Sequence, residues 1–333
     1  MKLYRLSEPS LAGLDLVDEP EPQPKPREVV VRIRAASLNY KDLLFVKAVE
    51  EGGIPLSRPT IPLSDAAGEI VELGPDVTRF AVGDRVAPVV VQDWFTGPLP
   101  ADAMRRALGV GVDGVLTEFR AFDQNNLVSL PPSLSFEQGA TLPIAAVTAW
   151  NAVGDVRPHQ SVVVLGTGGV ALFALQFAKA SGARVIVITS RDEKADRAKT
   201  LGADDTINYT RHPDWEREVL ALTGGRGVDH VVETVGGSSV ERSVKATAIG
   251  GSVYCIGLID RGGIDPYNIQ FRAVTVRGIR MGSRDQFETM NRLITQQAIQ
   301  PAIDNVFAFA DARAAYERIH SGQHFGKVVI AVG

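Results

Sequence analysis

Cysteine is almost absent from this chain of 333 residues, and positive charge is not in excess. Cys255 is the only thiol, so the chain forms no internal disulfide and no thiolate zinc site. The formal net charge of −4 argues against nucleic acid or an anionic membrane as the main partner, because both require a concentrated positive field. No stretch approaches the ~18 apolar residues of a membrane helix, and the N-terminus lacks the apolar centre of a signal peptide. We therefore expect a cytoplasmic protein.

Composition and length indicate a globular protein of two domains. Hydrophobic residues make up 45% of the chain and charged residues 22%, which is an ordinary globular balance. A length of 333 residues exceeds what a single core usually holds. The sequence changes character near residue 125, where we place the first domain boundary.

The first third of the chain has the pattern of β-structure. Prolines alternate through 18–28 and hold the backbone extended, and 29–36 then shows the period-two alternation of a strand. Short β-like runs follow at 67–73 and 84–91, separated by glycine turns. We expect a compact antiparallel unit, followed by an irregular excursion at 92–113.

Beyond this region, continuously apolar strands alternate with helical stretches, from SVVVLG at 161–166 to AVTVRGI at 273–279. Strands without polar alternation are buried on both faces, as in a parallel sheet covered by helices. The tail returns to a helix and a strand, which we expect to rejoin the first domain. The predicted fold class is α/β, with a β-rich domain over 1–124 and 281–333 and a doubly wound parallel sheet over 125–280.

A glycine-rich loop joins the first apolar strand to its helix. Its spacing, G-x-G-x-x-A, is that of a dinucleotide-binding loop. The first glycine permits the tight turn, and the second lets the backbone approach a pyrophosphate, whose charge meets the free N–H groups at the helix start. A structural turn without a ligand is the alternative. The predicted cofactor-binding residues of this loop are Gly166, Thr167, Gly168, Gly169 and Val170.

The end of the next strand favours NADP(H) over NAD(H). Enzymes that use NAD generally place Asp or Glu there, where the carboxylate binds the ribose 2′-hydroxyl. This strand ends at Ser190 and Arg191 instead, and a small hydroxyl beside a guanidinium suits a 2′-phosphate. Lys194 follows at a spacing that would bring it to the same phosphate. The alternative is a solvated basic pair on a loop.

Several blocks in series resemble the zinc-free quinone-oxidoreductase-like branch of the medium-chain dehydrogenase/reductase superfamily. They cover nearly the whole chain in the order of that branch: SLNYKD, PLSDAAGEIVELG, VTRFAVGDRV, TLPIAAVTAW, the glycine loop, LGADDTINY, TGGRGVDHVVETVG and HFGKVVI. The resemblance implies a GroES-like catalytic domain made from both chain ends and an inserted Rossmann domain. It also implies a homodimer, for which the strand at 273–279 would supply a sheet edge.

The resemblance also bears on metal content. Zinc-containing members hold a catalytic metal with a cysteine, a His-Glu pair and a second cysteine, and the matching positions here are Asn39, Ser64, Asp65 and Ile144. Zinc requires about three thiolate, imidazole or carboxylate ligands, and this set offers one carboxylate. We therefore expect no zinc. The i, i+4 pair His320 and His324 is interrupted by Gly322 near a helix end, so these are better interpreted as ordinary surface histidines.

Without a metal, the chemistry favours reduction of a quinone or an α,β-unsaturated carbonyl compound. The developing negative charge is delocalised and needs only hydrogen-bond donors and a proton. The segment Asn39-Tyr40-Lys41-Asp42 matches the family's substrate-cleft segment. Asn39 and Tyr40 would donate to the carbonyl oxygen. Lys41 would supply charge or a proton, and Asp42 would orient its neighbours. The alternatives are a turn cap at Asn39 and a surface pair of Lys41 and Asp42.

Resemblance alone assigns further residues to the cofactor. Thr148 would pack near the nicotinamide and Tyr209 near the 2′-phosphate, unless they are a core-helix threonine and a half-buried strand aromatic. The other positions lie at two strand ends on the cofactor edge of the sheet and near the C-terminus, where the chain would close over the cofactor: Thr234, Val235, Gly257, Leu258, Gly326 and Lys327.

Three functions stay open at this stage. The leading one is an NADP(H)-dependent reductase of quinones or activated alkenes. The second is a zinc-independent alcohol dehydrogenase, although no strong base for a hydroxyl proton is visible. The third is an NADPH-binding regulatory protein without catalysis. The loop around 46–60 and the segment 92–113 would shape the substrate pocket.

Overall fold

The computed structural model describes residues 1–47 and 58–333. These residues form two compact units, of which the first comprises Met1–Val147 and Met281–Gly333 and the second Thr148–Arg280. The loop expected at 46–60 lies mostly outside the described residues. Every helix within the described ranges falls short of the length and apolar character that a membrane span requires.

Both units contain strands and short helices. The strands are Lys2–Leu6 (β1), Leu14–Asp18 (β2), Glu28–Ser37 (β3), Asp65–Leu73 (β4), Arg85–Pro88 (β5), Phe119–Asp123 (β6), Leu127–Ser129 (β7), Ser161–Leu165 (β8), Arg184–Thr189 (β9), Asp205–Asn208 (β10), Val228–Glu233 (β11), Thr247–Cys255 (β12), Thr275–Gly278 (β13), Ile303–Ala308 (β14) and Lys327–Ala331 (β15). The helices are Tyr40–Val46 (α1), Ala103–Arg106 (α2), Phe136–Gly139 (α3), Val147–Val153 (α4), Gly169–Ala180 (α5), Asp192–Thr200 (α6), Trp215–Leu222 (α7), Ser239–Ala246 (α8), Pro266–Arg272 (α9), Arg284–Gln296 (α10) and Ala312–His320 (α11).

A seven-stranded mixed sheet forms the centre of the first unit. Its order is β14-β15-β3-β4-β5-β7, with β6 also paired to β3. The strand predicted over 29–36 is part of β3, whose apolar residues lie in the core. Both β15 and β4 run antiparallel to β3, so Ser37 lies opposite Val329 on one side and opposite Asp65 on the other. The C-terminal strand therefore rejoins the first unit, as the sequence predicted.

The first boundary between the units falls later than predicted. Residues 125–147 belong to the first unit rather than to the doubly wound domain. The reason is strand pairing: β7 pairs with β5 of the mixed sheet, and α3 packs on β3 and β4. The change in sequence character near residue 125 therefore precedes the structural boundary, which lies between Val147 and Thr148.

The segment 92–113 has little regular secondary structure. Its helix, α2, has four residues. Trp94 packs against Val91, Ala103 and Ala107 in a small apolar cluster, which holds the segment to the first unit without a strand or a long helix. The irregular excursion predicted here is confirmed.

Six parallel strands form the sheet of the second unit, in the order β10-β9-β8-β11-β12-β13. The chain begins at β8 and winds outward through β9 and β10. It then returns to the other side of β8 for β11, β12 and β13. Crossovers between parallel strands are right-handed in nearly all proteins and so place the helices of the two halves on opposite faces, which accounts for the burial of β8 along its whole length. The predicted Rossmann architecture is confirmed.

The winding direction of this sheet reverses between β8 and β11. These strands are neighbours, yet they belong to opposite halves of the sheet. In open α/β sheets the crevice at the carboxyl ends of two such strands is where ligands bind. The residues that follow Leu165 and Glu233 are therefore the first candidates for a cofactor site.

Candidate active site

The glycine loop follows β8 and begins α5. Gly166 has a φ of 82°, in the left-handed region that favours glycine, and its N–H donates to the Ile188 carbonyl at 2.7 Å. Gly168 is the N-cap residue of α5, so the first N–H groups of the helix have no partner within it. Ala171 is buried, as close packing of the helix requires. The strand, turn and helix that give this loop its anion-binding character are all present.

A buried carboxylate shapes the loop after β11. Glu233 is 0% exposed, and its Oε1 accepts hydrogen bonds from the N–H groups of Val235 and Gly236 at 2.8 and 3.0 Å. Its Oε2 accepts hydrogen bonds from the Ser239 and Ser243 hydroxyls at 2.9 and 2.5 Å. Both carboxylate oxygens thus accept hydrogen bonds within the protein. Glu233 therefore holds this loop in place and is not available as a free carboxylate.

The predicted cofactor residues at the ends of β11 and β12 lie beside the glycine loop. The Thr234 hydroxyl donates to the Leu165 carbonyl, and a Cβ at Gly166 would lie 3.4 Å from that hydroxyl. A Cβ at Gly257 would lie 2.3 Å from the carbonyl carbon of Thr234, so a side chain is excluded there. Leu258 follows and is 66% exposed. The structure thus brings these strand ends together.

Ser190, Arg191 and Tyr209 lie at the ends of β9 and β10. Arg191 is exposed and is the N-cap residue of α6. Tyr209 is also exposed, and its N–H donates to the Thr189 carbonyl at 2.9 Å. The candidate 2′-phosphate residues therefore share one edge of the sheet, with an exposed guanidinium position at the start of a helix, where an anion is favoured.

The neighbouring charges differ from those that the sequence suggested. Lys194 is 8% exposed, on the same face of α6 as the buried Ala195 and Ala198. Arg211, which sequence reasoning missed, forms an ion pair with Asp192 at the start of α6. The only sequence signal for Arg211 is its position shortly after Tyr209. The assignment of Lys194 to the phosphate stays a prediction.

Thr148 carries an orphaned hydroxyl in the second unit. The residue lies near the start of α4 and is 2% exposed. Its Oγ1 is buried and has no hydrogen-bond partner among the described residues. A buried polar atom without a partner is costly, and a helical threonine normally bonds to a carbonyl of the preceding turn. This hydroxyl is therefore available to a ligand group, and the assignment of Thr148 to the nicotinamide stays a prediction.

The segment predicted to be catalytic lies at the junction of β3 and α1 in the first unit. Asp42 is 3% exposed, and its Oδ2 accepts a hydrogen bond from the Asn39 N–H at 2.8 Å. Its Oδ1 accepts one from Lys41 Nζ at 3.0 Å. The Lys41 side chain is 22% exposed, and Tyr40 is half-buried. Asp42 therefore holds Asn39, the N-cap residue of α1, and pairs with Lys41, as the two alternatives expected. The catalytic assignment of the segment stays a prediction.

Lys327 adds a second charge to this junction. Its side chain is 3% exposed, and Nζ donates to the Leu38 carbonyl at 2.6 Å and to Asn39 Oδ1 at 2.7 Å. The preceding Gly326 has a φ of 86°, and a Cβ there would lie 2.2 Å from the Ala302 carbonyl oxygen. The ammonium predicted to close over the cofactor thus bonds to the predicted catalytic segment.

Asp65 completes a buried cluster, which it forms with Ser64, Ile144 and Lys327. Its Oδ2 lies 3.7 Å from Lys327 Nζ and accepts a hydrogen bond from the Ile144 N–H at 3.1 Å. Its Oδ1 accepts one from the Ser64 hydroxyl at 2.8 Å. Burial raises the pKa of Asp65, and the charge of Lys327 opposes that rise. Burial likewise lowers the pKa of Lys327, against the charges of Asp65 and Asp42.

The four positions that match zinc ligands do not fit a zinc ion. Asn39 Oδ1 already accepts from an ammonium, and both Ser64 and Ile144 donate to Asp65. This set offers one carboxylate where zinc requires about three anionic or imidazole ligands. The histidine pair offers no better site, because α11 ends at His320 and the chain turns at Gly322, which has a φ of 64°.

Comparison with known proteins places both units in one family. Residues 25–132 match the family model described as an alcohol dehydrogenase GroES-like domain. Residues 169–296 match the model described as a zinc-binding dehydrogenase. The first match lies in the unit with the mixed sheet, and the second begins at the first residue of α5.

Relatives cover the chain from end to end. A zinc-type alcohol dehydrogenase-like protein from Schizosaccharomyces pombe is 40% identical, over 100% of both chains. A quinone oxidoreductase from Pseudomonas aeruginosa is 30% identical, over 91% of both chains. A solved structure of a putative alcohol dehydrogenase from Sinorhizobium meliloti has a TM-score of 0.91 at 38% identity, over 99% of both chains. The chain is therefore an oxidoreductase that belongs to the medium-chain dehydrogenase/reductase superfamily.

Proposed function

We propose that this protein is an NADP(H)-dependent, zinc-free reductase of quinones or α,β-unsaturated carbonyl compounds. One observation carries the proposal: beside Asn39 and Asp65, two of the positions that the resemblance matches to zinc ligands, the chain has the ammonium of Lys327, bonded to Asn39 Oδ1 and 3.7 Å from Asp65 Oδ2. A metal-free site suits substrates whose negative charge is delocalised as they are reduced. A nicotinamide coenzyme, when bound, would supply or accept the hydride.

The second unit would hold the coenzyme. The N–H groups at the start of α5 suit the pyrophosphate, and at Gly166 and Gly168 no side chain hinders the approach of a ligand to the backbone. Ser190 and Arg191 suit the 2′-phosphate, with Arg211 as a further cation on the same edge. The orphaned hydroxyl of Thr148 is a candidate for a hydrogen bond to the nicotinamide end.

The first unit would bind the substrate carbonyl. Tyr40 and Lys41 carry the hydrogen-bond donors of the segment that lie nearest to solvent. Asp42 is buried, and its oxygens already accept hydrogen bonds from Asn39 and Lys41. We assign the carbonyl oxygen to these two donors, with Lys41 in place of Asn39, whose carboxamide oxygen faces Lys327 and whose Nδ2 is buried. The proton supply falls to Lys41, whose Nζ is held at 3.0 Å by Asp42. Asn39 orients the segment through its bonds to Lys327 and Asp42.

The test is NADPH oxidation by the purified protein across a panel of quinones and enones, with parallel metal analysis. We expect turnover that survives a chelator and a zinc content near zero. NADH in place of NADPH measures the coenzyme preference. Zinc in stoichiometric amount, or no turnover with any acceptor, would contradict the proposal.

A zinc-independent alcohol dehydrogenase is the second candidate, because two of the relatives named above are alcohol dehydrogenase-like by description. Alcohol-dependent reduction of NADP in the presence of a chelator would support it. NADPH binding without turnover of either class would instead favour a regulatory protein.

We also propose a homodimer through the edge of the second unit. Every residue of β13 is exposed, and within the described sheet this strand pairs only with β12. Tyr267 and Phe271 on α9 are 63% and 72% exposed, with their rings stacked 5.8 Å apart. An open edge beside exposed aromatics suits strand pairing with a second copy. Light scattering of the wild type and of Val276→Lys tests this, with a shift to monomer expected for the variant.

A further inference from the structure

A buried lysine anchors the start of the predicted catalytic segment. The anchor follows from strand register: β15 is antiparallel to β3, with Val329 opposite Ser37, so two residues farther along Lys327 comes opposite Asn39. Its Nζ donates to the Leu38 carbonyl at 2.6 Å and to Asn39 Oδ1 at 2.7 Å. Both acceptors belong to the short connection between β3 and α1.

The contacts continue from this anchor to the surface. An ammonium has donors only, so it fixes the Asn39 carboxamide with its oxygen toward Nζ. The Asn39 N–H then donates to Asp42 at 2.8 Å, and Asp42 accepts from Lys41 at 3.0 Å. A continuous line of hydrogen bonds therefore joins a side chain that is 3% exposed to one that is 22% exposed.

We propose that Lys327 is a positioning residue, which anchors the connection between β3 and α1 and thereby sets where Tyr40 and Lys41 meet the substrate carbonyl. The inference rests on the proposed function, in which this segment binds that carbonyl. Placement matters here because a misplacement of ~1 Å in an active site costs on the order of 10²-fold in rate.

A role as a ligand of coenzyme phosphate is the competing assignment. It would require the Lys327 side chain to leave a site where it is 3% exposed and to give up two short hydrogen bonds. It would also leave the Asp65 carboxylate, 0% exposed, without its nearest cation. Uncompensated buried charge is strongly destabilising.

The test compares Lys327→Met with the double variant Lys327→Met/Asp65→Asn. The single change removes the anchor and also leaves a buried charge. The double change removes the anchor but not the charge balance, because the introduced carboxamide can keep its oxygen toward the Ile144 N–H while the Ser64 hydroxyl rotates to accept. Lys245→Met, at a lysine whose side chain is 46% exposed on α8, is the matched control.

We measure urea unfolding, NADPH affinity, kcat, KM and amide hydrogen exchange of the segment 38–47. The single variant should unfold at lower urea, and the double variant should recover most of that loss. Both should bind NADPH like the wild type, exchange faster over 38–47, and lose kcat on the order of 10²-fold. The control should match the wild type throughout.

Three outcomes overturn the proposal. Recovery of kcat in the double variant would show that Lys327 serves only to balance the charge of Asp65. Weaker NADPH binding with unchanged hydrogen exchange would make Lys327 a phosphate ligand, and wild-type exchange over 38–47 in both variants would show that Lys327 does not anchor the segment. Because exchange needs no substrate, the double variant decides the matter even if the single one does not fold. Absence of turnover in the wild type counts against the proposed function instead.

Discussion

The two oxygens of Glu233 allow a sharp prediction about the loop after β11. Oε1 accepts from two main-chain N–H groups, which cannot turn away. Oε2 accepts from two serine hydroxyls, which can rotate and become acceptors. Glutamine therefore fits in one orientation, with its oxygen toward Val235 and Gly236 and its amide nitrogen toward the serines. Leucine has similar bulk and satisfies none of the four donors.

The magnitudes of the two substitutions should differ clearly. Each buried donor left without a partner costs about 1–3 kcal/mol, so the two N–H groups alone put Glu233→Leu at about 2–6 kcal/mol. Glu233→Gln keeps all four hydrogen bonds and loses only the reinforcement by charge, which we put at about 1–2 kcal/mol. The hydroxyls of the leucine variant add little, because they can rotate toward other acceptors.

Urea unfolding and NADPH titration of both variants check this prediction, with Glu218→Gln as the control because that side chain is 45% exposed. The leucine variant should also bind NADPH more weakly, since Val235 and Gly236 belong to the proposed coenzyme edge. Equal loss of stability in the glutamine and leucine variants would refute the orientation argument. Normal NADPH binding by a destabilised leucine variant would instead separate this loop from the coenzyme.

Three further substitutions test the second unit. Gly257→Ala should lower the free energy of unfolding by about 1–3 kcal/mol and weaken NADPH binding, because the added Cβ would lie 2.3 Å from the Thr234 main chain. Gly263→Ala is the control: its Cβ would enter open space, so it should be neutral in the same assays. Arg191→Ala should raise the Kd for NADPH about tenfold or more and leave that for NADH unchanged, and a retained preference would remove the argument for NADP(H). The third substitution is at Asp229. Burial by itself would raise the pKa of Asp229, but hydrogen bonds from Arg226 and Ser161 hold it below its ordinary value. The Asp229 carboxylate therefore makes its full contribution to stability at pH values above its pKa in the unfolded chain. That contribution is lost as the pH falls through its pKa in the folded protein. Asp229→Asn should thus be less stable than the wild type at pH 7, and in urea melts the difference should narrow as the pH is lowered below about 4, the ordinary pKa of an Asp carboxyl; a constant difference would contradict the sign.

Local patterns in the sequence predicted the second unit well. The apolar run before Gly166, the glycine spacing and the helix after it lie within one short stretch, and each acts on its immediate neighbours. The assignment of Lys194 is not decided by such local patterns and stays a prediction. Spacing along the chain suggested the phosphate, but α6 begins at Asp192, and helical periodicity puts Lys194 on the face shared with Ala195 and Ala198.

Contacts between distant parts of the chain were not predictable in the same way. The domain boundary predicted near residue 125 followed from a local change in sequence character, whereas the boundary in the structure depends on the pairing of β7 with β5. The Asn39–Lys327 bond joins residues 288 positions apart and depends on the register of β15 against β3. Composition and motif spacing carry no information on that register, so the resemblance alone assigned Lys327 to the coenzyme.

The buried cluster links the missing zinc ligands to Lys327 through a single electrostatic requirement. Asp65 is 0% exposed, and a buried carboxylate is tolerated only when cations or donors compensate it. None of Asn39, Ser64 and Ile144, at the positions that the resemblance matches to zinc ligands, offers a thiolate, imidazole or carboxylate, so in the proposed zinc-free site the compensation comes from the protein. The Ile144 N–H and the Ser64 hydroxyl supply two hydrogen bonds, and Lys327 supplies the charge at 3.7 Å. Loss of Lys327 alone should therefore be costlier than joint loss of both charges, which the double variant measures directly.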